Sequence, residues 1–139
     1  MRGSMKTQDC IFFQLSRASR AGARFWQQKV APYGVTSAQA LVLLSLSEKD
    51  QVKSRHIGEQ TELDSATLAG LLDRLASSGL VERRPNPDDR RAILVCLTEQ
   101  GEKIAGRIQA IVEIENQAFL SALTPEEGLI LKSLLKKLG

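Results

Sequence analysis

The chain has 139 residues, 42% apolar and 25% charged, which allows one domain, or one domain with a dimerisation extension, and a core built without disulfides. A net charge of +3 and a pI of about 9.1 favour a polyanionic partner, while only 4% aromatic residues argue against the stacking platform of single-strand and RNA binders. Cys10 and Cys96 make neither a disulfide scaffold nor a metal motif, and there is no run of about 18 apolar residues to span a membrane.

Met1-Arg2-Gly3-Ser4 ahead of Met5 reads as an expression-tag leader (residues 1–4), outside the fold. Residues 9–31 carry a long helix pattern. Ile11, Leu15, Ala18, Phe25 and Trp26 form its apolar stripe, Phe12 and Val30 flank it, and Gly22 on the same face lets a neighbour approach. Arg17, Arg20, Arg24 and Lys29 lie mostly off that stripe, and Pro32 and Gly34 end the helix. Thr36-Ser37-Ala38-Gln39 is a capping box. It opens a helix whose Leu41, Val42, Leu44 and Leu46 make it apolar nearly all round and therefore buried. After a polar loop at 48–51, Ser54 is placed to cap a short helix through about Gln60, with Ile57 inward.

Thr61-Glu62-Leu63 turns into the stretch that organises the chain. Asp64 or Ser65 caps a helix in which Leu68, Leu71, Leu72 and Leu75 share one face, and Gly79 stands where a left-handed residue ends it. Its other face is small or polar: Ser65, Thr67, Gly70, Asp73, Arg74 and Ser77. Two runs rich in β-formers follow, Leu80–Arg84 and Ala92–Leu97, separated by a Pro-Asn-Pro-Asp-Asp turn. They form a hairpin with Arg83, Arg84, Arg90 and Arg91 at or near its tip. A groove-sized helix followed by a basic hairpin is a winged helix-turn-helix. Thr98 caps the next long helix, with Ile104, Ile108, Ile111, Val112, Phe119 and Leu120 at helical spacing. Thr124-Pro125-Glu126-Glu127 is a second capping box, opening a helix striped by Leu131, Leu134, Leu135 and Leu138.

The expected fold is mainly α with a small β-hairpin wing. Residues 36–98 form the winged helix-turn-helix that binds DNA, and residues 5–35 and 99–139 supply dimerisation helices. The apolar stripes of the end helices cannot all be covered by so small a centre, and a two-fold homodimer is the economical solution.

On these residues the chain resembles the MarR family (multiple antibiotic resistance regulators) over essentially residues 6–139. Asn86-Pro87-Asp88-Asp89-Arg90-Arg91 followed by Leu94-Val95-Cys96-Leu97-Thr98 is similar to the family's wing, Leu63–Leu68 to the opening of its recognition helix, and Ser78-Gly79-Leu80-Val81 to the turn after it. The resemblance implies a dimer on a pseudo-palindromic double-stranded operator, with the recognition helix in the major groove and the wing in the adjacent minor groove. It implies Arg91 as the minor-groove arginine, oriented by Asp89 and accompanied by Arg90. It places Asp64, Ser65, Ala66, Thr67, Gly70 and Arg74 at the recognition surface, and it implies a repressor released by a small ligand or by oxidation. Arginine suits a narrow minor groove, where the negative potential is deepest.

Cys10 sits where the hydroperoxide-sensing branch of that family carries its reactive thiol. Ser37, however, stands where a partner tyrosine is expected, and the only tyrosine is Tyr33. The bland reading of Cys10 is a small residue at the dimer seam. His56 has no metal-ligand partners at suitable spacing, so no metal site is expected. One histidine, no glycine-rich phosphate loop and no nucleophile motif argue against an enzyme, and no cofactor is expected. A winged helix used only for protein contact is the competitor from another class. The effector expected is small and apolar or anionic, walled by Phe25 and Trp26 with Arg17, Arg20 or Arg24 as counter-charge, and the compartment expected is the cytoplasm.

Overall fold

The structure is a computed structural model, describing residues 3–139. Met1 and Arg2 of the expected leader lie outside the described residues. The helices are α1 (Ile11–Val30), α2 (Ser37–Glu48), α3 (Ser54–Thr61), α4 (Ser65–Ser77), α5 (Glu99–Phe119) and α6 (Pro125–Leu138). Between α4 and α5 runs an antiparallel hairpin of β1 (Val81–Asn86) and β2 (Asp89–Leu97). Short 3₁₀ turns at Thr7–Asp9 and Ala31–Tyr33 bracket α1, so the helix is a little shorter than the expected 9–31. This is the mainly helical fold with a β-hairpin wing that the spacing predicts.

Local chemistry explains most boundaries. Thr36 and Thr124 form complete capping boxes with Gln39 and Glu127, each side chain answering the other's backbone N–H. The Thr98 hydroxyl accepts from the Gly101 N–H at 3.0 Å and opens α5. At the end of α4, Gly79 takes the left-handed conformation (φ +75°). Its N–H donates to the Ala76 carbonyl at 3.0 Å, and the Leu80 N–H donates to the Leu75 carbonyl at 2.9 Å. That pair of bonds satisfies two carbonyls left open by the helix end.

Two expectations need correction, and one helix end lies a single residue beyond the expected one. Ser54 does not cap α3: Lys53 occupies the cap position without a side-chain hydrogen bond, and Ser54 is already helical. α3 runs to Thr61, and Glu62 turns the chain in the left-handed region at φ +58°. α2 is not buried all round, because Leu41 is 41% exposed while Val42, Leu43 and Leu46 are fully buried. The reason is geometric: α2 packs on α1, α3, α4 and α5 but leaves one side facing solvent.

The core gathers Val30, Leu43, Leu46, Ile57, Leu75 and Ile108, all fully buried, and so joins α1 and α5 to the helix-turn-helix. Gly22 does admit a neighbour: a Cβ there would stand 3.7 Å from the Phe119 ring. A tighter approach lies at Gly101, where a Cβ would fall 1.9 Å from the Leu80 carbonyl oxygen. Gly101→Ala must therefore push the first turn of α5 off the end of α4, costing at least about 1–3 kcal/mol. Chemical denaturation of the variant should show a lower midpoint, and an unchanged midpoint would mean that α5 does not seat on Leu80.

Candidate nucleic-acid interface

α4 presents the two faces that its sequence spacing demands. Leu68, Leu71, Leu72 and Leu75 are buried, while Ser65, Ala66, Thr67, Ala69, Asp73 and Arg74 are exposed. Gly70 faces open space, since a Cβ there would meet nothing within 4 Å. It leaves a notch on the exposed side rather than admitting a packed neighbour.

Asp64 is the cap of α4. Its Oδ1 accepts from the Thr67 N–H and its Oδ2 from the Thr67 hydroxyl, both at 2.8 Å. The Thr67 backbone N–H, and then its hydroxyl, hold the Asp64 carboxyl below its usual range. Both carboxylate oxygens are thus committed to the helix start. The Thr67 hydroxyl, its hydrogen directed at Asp64, keeps its acceptor lone pairs free.

The wing differs from expectation at its tip. β1 continues through Pro85 and Asn86, and β2 begins at Asp89, so only Pro87 and Asp88 turn the chain. Pro85 is tolerated because neither strand has a second neighbour along this part of the hairpin. Pairing runs from Val81↔Leu97 to Pro85↔Ile93 and then jumps to Asn86↔Asp89. Arg90, Arg91 and Ala92 are the extra residues of that bulge, which bends the strand and projects the arginines. Asp89 does not grip the Arg91 guanidinium here. Its Oδ1 accepts from the Arg91 backbone N–H at 3.1 Å and so sets the local backbone.

Arg83 and Arg84 are not at the tip, because they pair with Val95 and Leu94 well down the strands. Arg84 bonds Glu82, whose carboxylate raises the guanidinium pKa. Arg83 donates to Asp73 of α4 at 2.8 Å, tying the recognition helix to the base of the wing. Sequence reasoning missed this tie, because no local spacing rule relates two residues ten positions apart across a turn. A cleft of about 480 Å³ opens beside it, bounded by Arg55 and Glu59 of α3, Ser65 and Ala69 of α4, and Arg83.

Residues 35–93 match the model of the MarR family. The multiple antibiotic resistance protein MarR of Escherichia coli K12 is 34% identical over 115 residues, 82% of this chain and 80% of that protein. The chain belongs to the MarR family. Members of the MarR family are transcription regulators, not enzymes, and this chain carries their DNA-binding winged helix. An organic hydroperoxide resistance transcriptional regulator of Bacillus subtilis is 34% identical over 97 residues, covering 70% of this chain but 66%, just under two thirds, of the relative. The crystal structure of a mutant MarR from E. coli complexed with operator DNA superposes with a TM-score of 0.85 at 30% identity, covering 98% of this chain and 99% of that one.

The described residues contain no group of three His, Cys, Asp or Glu able to hold a metal. Among them no single helix is long and apolar enough to cross a membrane. Cys10 is partly exposed at the cap position of α1, whereas Cys96 is buried in β2, where burial pushes its thiol pKa up. An apolar cavity of about 790 Å³ lies between α1, α5 and α6, with Phe25, Trp26, Phe119 and Leu135 in its wall. Arg17, Arg20 and Arg24 do not line it, because the helix turn that brings Ala18, Gly22 and Phe25 inward carries the arginines elsewhere. The charged groups at the cavity are Glu115 and Lys132, with Lys29 3.5 Å from Glu115.

The Asp64 cap generates a pH prediction. A carboxyl held below its unfolded pKa adds stability that is complete above the unfolded value, about 3.9, and is lost as pH falls through the folded one. Asp64→Ala should lower the melting temperature at pH 7, and the gap between variant and parent should close in thermal melts taken below pH 4. A gap of constant size would remove the carboxylate from the cap.

Proposed function

We propose that the chain is a cytoplasmic homodimeric repressor that binds a pseudo-palindromic operator and is released by a small apolar effector. The observation that carries this reading is the exposed small-and-polar face of α4 beside a wing whose bulge projects Arg90 and Arg91. On this reading Ser65, Ala66, Thr67, Gly70 and Arg74 meet bases or phosphates in the major groove. Asp64 acts through the cap it provides, Arg91 enters the minor groove with Arg90 on the adjacent backbone, and Asp89 positions both through the wing backbone. Thr67, with its proton engaged, would accept from a base amino group. The operator named by the related E. coli structure supports the same partner class here.

Residues 36–98 would read DNA, and residues 5–35 and 99–139 would hold the dimer. Support for a second copy comes from apolar side chains left bare on the end helices: Phe12 is 77% exposed, Leu129 69% and Leu138 70%. Two-fold symmetry then calls for half-sites about 10 bp apart, or a multiple of that. The cavity between α1, α5 and α6 supports an effector site. Occupancy there would alter the angle of α5 and hence the spacing of the two recognition helices, to which a rigid palindrome is intolerant.

Arg91→Ala should weaken binding to a duplex selected by the protein from a random pool by about 1–3 kcal/mol, in a gel shift, with the dimer intact by sedimentation. Parental affinity in a dimeric Arg91→Ala would remove the wing from the interface.

A second reading is favoured by the place of Cys10 and by the hydroperoxide-resistance regulator among the relatives. Here oxidation of Cys10 releases the DNA. Tyr33 of the same chain lies at the other end of α1, about 30 Å away by helical rise, and cannot assist that thiol. Release of the parent by an organic hydroperoxide, with Cys10→Ser resistant, would establish the thiol switch. Equal retention of DNA by both proteins would leave the ligand-release reading.

A further inference from the structure

We infer that Asp73 is a specificity-determining residue: by holding Arg83 at the recognition face it withholds a cation from non-specific duplex DNA and so widens the gap between right and wrong sequences. The inference rests on the DNA-binding reading above and gives a role to the one acid of α4, which that reading leaves out. Discrimination is a difference of two affinities, and weakening the wrong complex enlarges it as surely as strengthening the right one.

α4 contains a single acid, Asp73, and a single base, Arg74. At helical spacing Asp73 falls in line with Ala66, Gly70 and Ser77, on the side away from Leu68, Leu71, Leu72 and Leu75. Its side chain is 71% exposed. The open notch at Gly70 lies one turn before it on the same face. A bare carboxylate in that position would face any duplex laid on α4 and repel its phosphates.

Arg83 removes that repulsion and is itself occupied in doing so. Its guanidinium donates to Asp73 Oδ1 at 2.8 Å. No second acid pairs with Arg83 among the described residues. Successive strand residues point to opposite faces, so Glu82 and Arg84 lie on the other side of β1, where they pair with each other. Glu59, in the adjoining cleft, is paired with Arg55 at 3.2 Å. Non-specific complexes draw their affinity from cations that displace counterions from phosphates, and a guanidinium already neutralised by Asp73 adds nothing to that sum. In the specific complex the same pair keeps the middle of α4 on the base of the wing, so that the recognition helix and Arg91 reach their grooves together. The tie therefore favours the complex in which both grooves are engaged.

The test uses the full chain, a duplex that the protein selects from a random-sequence pool, and a scrambled duplex of equal length, each titrated over a range of salt. A parent that binds neither duplex would overturn the DNA-binding reading and this inference with it. With a binding parent, Asp73→Asn should steepen the slope of log affinity against log salt on the scrambled duplex by about 0.9, which is about eightfold tighter binding for each tenfold dilution of salt. The selected duplex should gain no affinity, so the ratio between the two falls, while Asp73→Glu keeps the parent's ratio. Arg83→Gln, which leaves the carboxylate bare, should weaken binding to the scrambled duplex, and adding Asp73→Asn to it should restore the parent's level. All the variants should keep the parent's melting temperature, because an exposed ion pair contributes little to stability. Equal gains on both duplexes in Asp73→Asn, or an unchanged slope on the scrambled one, would overturn the inference even though the protein binds DNA. So would a double variant as weak as Arg83→Gln, since Arg83 would then be touching phosphate itself.

Discussion

The Leu80 carbonyl is the point at which the reading elements meet the long end helix. It accepts from the Thr98 N–H at 3.1 Å, and Gly101 passes so close that no side chain fits between them. The Thr98 hydroxyl donates to the neighbouring Gly79 carbonyl at 2.6 Å while it caps α5. The end of α4, the closing strand of the wing and the start of α5 are therefore fastened within a few residues of each other. The Asp73–Arg83 pair adds a second tie, between the middle of α4 and the base of the wing. Recognition helix and wing are thus joined to each other and to the start of α5.

Much of this was legible in the sequence because it is local. Thr36, Asp64, Thr98 and Thr124 declare helix starts through side chains that reach three residues ahead, and Gly79 declares an end through a backbone conformation that glycine adopts freely. The leucine stripe of α4 and the closeness implied by Gly22 follow from period alone. What escaped depends on contacts between segments distant in the chain. Gly101 looks like an ordinary weak spot in a helix until Leu80 is beside it. Leu41 looks buried until the packing of α2 leaves its side bare. Arg83 looks like part of a basic tip until the register sets it opposite Val95 and within reach of Asp73. The bulge at Arg90–Ala92 escaped for a related reason: turn residues announce a reversal but not which strand carries the surplus.

Charge is apportioned by helix face as well as by element. α1 contains no acidic residue, and of its four cations only Lys29 has an acid beside it, Glu115 of α5. Lys29 also lies 5.1 Å from the Phe25 ring centroid, and Phe25 in turn lies 5.3 Å from Phe119. That small cluster links α1 to the far half of α5 at the edge of the apolar cavity. One helix, α5, thus starts against Leu80 and ends in the wall of that cavity.

Trp26 is the only tryptophan in the chain, and it stands in the cavity wall while also packing against the core. Ultraviolet emission excited at the red edge therefore comes from one indole at one address. Whether a second copy or a small molecule comes to lie against that wall, the polarity around this fluorophore changes, and its colour and brightness change with it. The protein carries an intrinsic optical reporter in the wall formed by α1, α5 and α6, so a change at that wall can be followed in solution without attaching a dye.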